Sequence, residues 1–239
     1  MFDLELFAWG SGWGDELVHG LLLTFEAAFA AYALGMLIGL AAAYGELSRL
    51  RPLRWLAKGY GLVFRSVPEL LIIFLFYYGG AFALRALLSP FGVGRIDLSA
   101  FAAGVAALAM IQGAYASQIF RGALLAVPRG LIEAARSLGL RRWQVAIKVT
   151  LPLALRYAFA GLVNLWVNVI KTTPLLAAIG LEDFVRAADT AGQNTKRYFA
   201  FFLAILVVYL AISAGTLWLQ RRYGERLFRH LGPLAGERR

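Results

Sequence analysis

Cysteine is absent from this 239-residue chain, and histidine occurs only as His19 and His230. Without thiols the chain forms neither disulfide bonds nor cysteine-ligated metal sites. The two histidines are so far apart that we expect no bound metal. Charged residues are also scarce, at 16%, against about a quarter in an average soluble domain. Because 60% of the residues are hydrophobic and the mean hydropathy is +0.67, the composition indicates an integral membrane protein.

The net charge of +10 does not indicate a nucleic-acid partner. The basic residues lie in short loops between apolar runs, which is typical of the cytoplasmic loops of membrane proteins. The first 19 residues contain no Lys or Arg. They therefore lack the basic segment of a secretory signal peptide, and we expect no cleaved leader.

Five apolar runs are long enough to cross the bilayer core of about 30 Å as helices. The runs cover approximately residues 20–44, 60–84, 98–125, 153–179 and 198–219. A polar loop at about 128–152 separates the third run from the fourth, and residues 85–97 form a loop on the opposite side. We find no linker and no internal repeat, and we predict an all-α protein with one transmembrane domain over residues 1–239. In the first run, Gly35 and Gly39 form a small-residue pair that admits a close helix neighbour.

The distribution of basic residues predicts the orientation. Lys and Arg number 16 in the loop at 46–58, the loop at 128–152 with its flank, and the C-terminal tail, against 5 in the segments on the other side. Since cytoplasmic segments carry the excess of Lys and Arg, we expect the N-terminus outside and the C-terminus in the cytoplasm. Termini on opposite sides require an odd number of spans.

The polar loop contains the stretch 133–152, which reads EAARSLGLRRWQVAIKVTLP. Its alanines, leucine and charged residues favour a short helix. Pro128 and Gly130 mark the start of that helix, and Gly139 suits a left-handed residue just past its end. A second short helix over about 141–149 follows. The residues alone allow two interpretations: a helix that docks to a partner protein, or an amphipathic helix on the membrane surface.

Ionisable residues within membrane spans are costly and are therefore functional candidates. Here they are Glu26, Arg65, Glu69, Arg121 and Lys171. Arg65 and Glu69 are four residues apart, so in a continuous helix they share one face and can pair. Pro68 lies between them and is expected to bend the second span. Arg121 is near the end of its span, where its side chain can also extend to the membrane surface.

The polar loop resembles the coupling loop of bacterial ABC importer permeases. That pattern is Glu-Ala-Ala, three residues, Gly, nine residues, Ile, one residue and Leu-Pro. The chain keeps Glu133, Ala134, Ala135, Gly139 and the final Leu151-Pro152, with Val149 in place of the usual Ile.

Further segments resemble the polar amino acid permeases. They are Phe64–Leu70 in the second run, Gly113–Tyr115 and Phe120–Gly122 in the third, Ile170–Thr173 in the fourth, and Gly180–Asp183 after it. The resemblance covers about residues 20–225. It is nearest to the Q-type subunit of importers for lysine, arginine, ornithine and histidine, or for opines.

The resemblance implies a type I ABC importer permease fold in a bacterial inner membrane. The partners it implies are an ATPase dimer, a second permease subunit, an extracytoplasmic binding protein and an amino acid substrate, within membrane lipid. The chain has no Gly-x-x-x-x-Gly-Lys-Ser/Thr phosphate-binding motif. We therefore expect no enzymatic activity and no bound cofactor, with ATP and Mg held by the ATPase.

The resemblance also implies two groups of functional residues. The group expected to couple to the ATPase is Glu133, Ala134, Ala135, Arg136, Leu138 and Gly139. The group expected along the substrate pathway is Arg65, Pro68, Glu69, Tyr115, Gln118, Arg121, Lys171 and Thr172.

Two positions depart from the family pattern. Members often carry Glu at the position of Gln118 and Asp at that of Thr172, where a carboxylate would favour a cationic substrate. We hypothesise that the acidic contacts come from a different partner permease. The alternative is that Gln118 and Thr172 only make hydrogen bonds between helices.

Other functions remain open from the sequence. They are an ion-gradient-driven secondary amino acid transporter, an importer for neutral or acidic amino acids, and a permease that pairs with a second copy of itself.

Overall fold

A computed structural model of the chain describes residues 4–10, 12–83 and 98–227. Every regular element in these ranges is a helix, as predicted. The helices are α1 (Gly14–Leu47), α2 (Arg51–Ser66), α3 (Glu69–Ala83), α4 (Ala100–Ala126), α5 (Arg129–Ser137), α6 (Arg142–Ile179), α7 (Phe184–Thr195) and α8 (Tyr198–Leu227). The predicted loop 85–97, and the tail beyond residue 227 with His230, lie outside the described residues.

Four of these helices, α1, α4, α6 and α8, are long and apolar enough to cross a membrane. A fifth crossing results if α2 and α3 together form one broken span. The five predicted spans fall on these elements. Several of the helices are longer than the predicted spans, because their polar ends continue beyond the apolar run.

The second span is the main correction. We predicted one bent helix over about 60–84, but the chain forms two helices at 110° to each other. Val67 at the break is extended, with φ −92° and ψ 138°. Pro68 has no N–H to donate to a helix and disfavours helical backbone at the residue before it. The helix therefore ends at Ser66 and restarts at Glu69.

The break also removes the predicted Arg65–Glu69 pair. The two residues lie in different helices and no longer share a face. Arg65 Nε instead donates to the carbonyl oxygen of Gly61 at 2.6 Å. Among the described residues, no ion pair joins Arg65 to Glu69.

The predicted close contact at Gly35 and Gly39 is confirmed, with α4 as the neighbour. A Cβ at Gly35 would lie 3.0 Å from Gln112 Cβ, and one at Gly39 would lie 2.5 Å from Ala116 Cβ. Buried alanines, Ala27, Ala28 and Ala31 among them, extend the contact along α1. Such small residues let two membrane helices pack backbone against backbone.

Helix α6 begins earlier than the predicted fourth span. The segment that we predicted as a short helix over 141–149 is the first part of α6, which opens at Arg142 and passes through a π-turn at Ala146–Thr150. Pro152 explains the turn, because a proline cannot supply the next N–H of the α-helical ladder. At the other end, the segment Thr173–Ile179 is a 3-10 helix closed by Gly180, with φ +89°.

Helices α7 and α8 pack against the N-terminal end of α1. Leu17 of α1, Phe184 and Ala188 of α7, and Phe201 of α8 form one buried cluster. Most of α8 is not covered by the rest of the chain, since only 6% of its most apolar 18-residue segment is buried. Helix α8 therefore presents most of its surface outward.

Candidate functional site: an exposed coupling helix and a polar cavity

Helix α5 stands between α4 and α6, and its ends are defined by local sequence. It begins after Pro128, whose backbone is extended. At its end the Gly139 N–H donates to Arg136 O at 2.9 Å, and the Leu140 N–H donates to Ala135 O at 3.2 Å. Gly139 has φ +82°, so the predicted left-handed residue is confirmed. This pair of bonds is a Schellman motif, which satisfies carbonyls that a helix end leaves free.

One face of α5 is anchored and the other is open. Ala135 is buried, and Ile132 packs against the apolar cluster of α4 and α6. The remaining predicted coupling residues are exposed: Glu133, Ala134, Arg136, Leu138 and Gly139. Leu138 is 81% exposed. A short helix with a fixed orientation and an exposed leucine among charges is suited to packing against another protein.

A polar cavity of about 440 Å³ lies between α2, α4 and α6. Its lining residues are Arg65, Tyr115, Gln118, Ile119, Gly161, Asn164, Leu165 and Asn168. Three primary amides and one guanidinium give it several hydrogen-bond donors and acceptors. None of these lining residues is acidic. The cavity can thus bind a polar molecule that carries a carboxylate.

A buried carboxylate is hydrogen-bonded to one of the residues that line this cavity. Gln118 Nε2 donates to Glu46 Oε1 at 2.9 Å. Arg121 Nε lies 3.3 Å from Glu46 Oε2, and the Glu46 side chain is only 5% exposed. Arg121 therefore pairs with Glu46. Gln118 makes the hydrogen bond between helices that our alternative interpretation proposed, and it lines the cavity as well.

Glu46, Asn164 and Asn168 were not among the predicted site residues. We had placed Glu46 in the basic loop, whereas α1 extends far enough to bury it. Asn164 and Asn168 are four residues apart in α6, so they share one helix face. A polar pair at that spacing in an apolar run is a signal that the sequence offered. Gln112, fully buried on α4, donates from Nε2 to Asn168 Oδ1 at 3.3 Å.

Five predicted pathway residues do not line the cavity: Pro68, Glu69, Arg121, Lys171 and Thr172. Pro68 and Glu69 mark the break between α2 and α3. Thr172 Oγ1 donates to the carbonyl oxygens of Asn168 and Val169 at 3.2 Å and 2.9 Å. These bonds lie within one helix, so among the described residues Thr172 makes no hydrogen bond to a neighbouring helix, and it does not line the cavity. Lys171 is exposed beside it.

The segment after α6 contains a second buried carboxylate. Asp183 caps α7, and its Oδ1 accepts the Arg186 N–H at 2.9 Å. The side chain is fully buried, and among the described residues its Oδ2 has no hydrogen-bond partner. Loss of solvation raises the pKa of this carboxyl to about 6, although backbone N–H groups and Arg186 act in the opposite direction.

A helical bundle with a broken span, an exposed short helix and a polar cavity between helices is the architecture of a transport-system permease. Residues 35–229 match the family described as the binding-protein-dependent transport system inner membrane component, and the chain belongs to this family. It is therefore a membrane-embedded permease subunit. A self-contained, gradient-driven transporter is not compatible with this family.

Two relatives named for particular substrates match most of the chain. The nopaline transport system permease protein NocQ of Agrobacterium fabrum is 41% identical over 89% of this chain and 91% of its own. The histidine/lysine/arginine/ornithine transport system permease protein HisQ of Escherichia coli strain K12 is 39% identical over 89% of this chain and 95% of its own.

Solved structures agree on the fold. A crystal structure of an amino acid ABC transporter with histidines matches with a TM-score of 0.77 and 31% identity, over 89% of this chain and 94% of that one. The MetNI methionine ABC transporter in an inward-facing conformation matches with a TM-score of 0.66 over 91% of this chain and 97% of that one. At 19% identity, this second likeness shows the fold alone.

Proposed function

We propose that this chain is the transmembrane subunit of an ABC importer that carries basic amino acids or opines into the cytoplasm. The observation that carries the proposal is that permeases named for nopaline and for histidine, lysine, arginine and ornithine match almost the whole chain. The cavity fits such a substrate, since Arg65 can bind the α-carboxylate and the three amides can bind ammonium or guanidinium groups.

The proposed assembly contains three further components. They are an ATPase dimer, which binds ATP and Mg and hydrolyses the ATP, a second permease subunit and an extracytoplasmic binding protein. The excess of basic residues in the loops beside α5 supports an orientation with the N-terminus outside and α5 in the cytoplasm. The exposed face of α5 is then available to the ATPase, with Glu133 and Arg136 as polar contacts and Ala134 and Leu138 as packing contacts.

Transport in this assembly follows alternating access. Closure of the ATPase dimer on ATP displaces α5, and α5 is joined to α4 and α6 by very short connections. Because α4 and α6 both line the cavity, their displacement changes which side of the membrane the cavity faces. None of the lining residues that the structure describes is acidic. A related but different partner permease is therefore the proposed source of a carboxylate that contacts the substrate.

The test is transport by the complete complex in lipid vesicles. The complex, with its binding protein and internal ATP, is offered arginine, lysine, histidine, glutamine and glutamate, and both uptake and ATP hydrolysis are measured. We expect arginine, lysine or histidine to be transported and to stimulate hydrolysis. Stimulation only by glutamine or glutamate would leave the permease assignment in place and reject the basic substrate class.

A further inference from the structure

The hydrogen bond between Glu46 and Gln118 fixes which end of the Gln118 amide faces the cavity. A carboxylate only accepts hydrogen bonds, so the NH₂ group of Gln118 must point toward Glu46. Gln118 Oε1 is therefore the free end of the amide. Among the described residues it has no hydrogen-bond partner and is not a buried atom, and Gln118 lines the cavity. The amide of this cavity-lining residue thus has a carbonyl oxygen with unused acceptor capacity.

Glu46 is itself held in place. Its Oε2 lies 3.3 Å from Arg121 Nε, and its side chain is 5% exposed. Both carboxylate oxygens therefore have a partner on α4, Gln118 for one and Arg121 for the other. The opposite orientation of the Gln118 amide is excluded. It would turn Gln118 Oε1 toward the Glu46 carboxylate and place two acceptors against each other.

We propose that Glu46 is a positioning residue for substrate selectivity, which keeps the Gln118 carbonyl oxygen turned into the cavity to accept a hydrogen bond from the cationic group of the substrate. This inference rests on the proposed function. Ammonium and guanidinium groups are donors with no acceptor atom, so a fixed acceptor favours them. An amide that was free to turn would present its NH₂ as readily, and would bind a neutral carbonyl-bearing side chain equally well.

Arginine and citrulline are the pair of substrates that separates these cases. Citrulline has the shape of arginine, but its neutral ureido group carries a carbonyl oxygen in place of one guanidinium nitrogen. Glu46→Gln keeps the size of residue 46 and removes the constraint, because the new amide at that position can donate to Gln118 as well as accept from it. We expect this variant to lower the preference for arginine over citrulline about tenfold, the loss of one charge-assisted hydrogen bond, mainly through the KM for arginine.

The measurement is uptake of each amino acid by the complete reconstituted complex with saturating binding protein. The binding protein has its own preference, but that preference is common to wild type and variant and cancels when their arginine-to-citrulline ratios are compared. Asp189→Asn is the matched control, because Asp189 Oδ2 also accepts from a glutamine amide, that of Gln193 at 2.8 Å, on the exposed surface of α7. We expect it to leave the ratio unchanged.

A double variant distinguishes positioning from simple structural support. In Glu46→Gln with Gln118→Glu, the new amide donates to the new carboxylate, whose second oxygen faces the cavity as an acceptor. We expect the arginine preference to return. Equal losses for both substrates in Glu46→Gln, or failure of the double variant to restore the preference, would overturn the inference. A wild-type complex with no preference for cationic substrates would instead reject the proposed function, and the inference with it.

Discussion

The backbone N–H of Phe184 donates a hydrogen bond to Thr24 Oγ1 at 3.1 Å, across 160 residues of sequence. The same hydroxyl donates to Gly20 O at 2.9 Å. Gly20 brings the two segments together, because a Cβ at this position would lie 2.9 Å from Asp183 O. One turn of α1 therefore holds the segment that follows α6 and starts α7.

Replacement of Thr24 by valine should destabilise the protein. Valine has the shape of threonine but no hydroxyl, so the buried N–H of Phe184 loses its acceptor, at a cost of about 1–3 kcal/mol. We expect a lower unfolding temperature in detergent. Thr216→Val is the control, because Thr216 Oγ1 donates only to the carbonyl oxygen of Ile212 in its own helix. Equal shifts in the two variants would show that the Phe184–Thr24 bond contributes nothing of its own.

Asp183 should make stability depend on pH. Burial raises the pKa of its carboxyl from 3.8 to about 6 in the folded protein. The folded state therefore binds a proton more tightly than the unfolded state does. The resulting stabilisation is complete below about pH 4 and is lost as the pH rises through 6, with a total of about 3 kcal/mol.

Asp183→Asn tests this prediction, because asparagine caps a helix as well as aspartate does but does not titrate. We expect the free energy of unfolding of the wild type, measured between pH 4.5 and about 7, to decline more steeply than that of the variant. Arg186 on α7 is the charged group that acts on this carboxyl, and it is present in both proteins. Parallel curves for the two proteins would contradict the prediction.

Gly39 should tolerate no side chain. A Cβ there would lie 2.5 Å from Ala116 Cβ and 2.9 Å from Gly113 O, so Gly39→Ala forces α1 and α4 apart, at a cost of about 1–3 kcal/mol. We expect a smaller folded fraction after detergent extraction, measured by size-exclusion chromatography. Gly215→Ala in α8, where a Cβ meets nothing within 4 Å, should extract as the wild type does. A similar loss in both would point to a general effect of replacing glycine.

Gly139 should be required for coupling rather than for insertion. Its φ of +82° is strained for most residues, by about 1–2 kcal/mol, and a β-branched residue is tolerated least. Gly139→Val should change the direction in which the chain leaves α5. We expect the amount of amino acid transported per ATP hydrolysed to fall several-fold, with the amount of inserted complex unchanged. Gly139→Asn is the control, since asparagine accepts this conformation. Wild-type coupling in the valine variant would remove this role.

The sequence was sufficient for the elements that depend on long or local patterns. Uninterrupted apolar runs of about 20 residues located the spans, because a helix satisfies all of its backbone hydrogen bonds within one segment in lipid. Proline and glycine located both ends of α5, because Pro128 and Gly139 act through their own backbone torsions. The roles of the exposed α5 residues in coupling stay predictions.

The features that the sequence did not reveal depend on exact lengths and on contacts between distant segments. The hydropathy across Val67–Pro68 is continuous, so only the torsions at that point decide between a bend and a full break. Glu46 sits among basic residues in the sequence, and it is buried because α1 continues three residues past Tyr44. Its partners on α4 are 72 and 75 positions away, a pairing that no local pattern encodes.

Because of the break between α2 and α3, a rotation of α2 about its own axis displaces α3. Helix α3 is about 22 Å long, at 1.5 Å per residue, and it leaves α2 at 110°, so its far end lies about 21 Å from the axis of α2. If α2 turns about its axis by roughly 10°, that end sweeps about 4 Å, a distance obtained from the same helix dimensions. In a straight helix the same rotation would leave the helix axis where it is. A rotation of α2 would therefore move both Arg65, which lines the cavity, and the far end of α3.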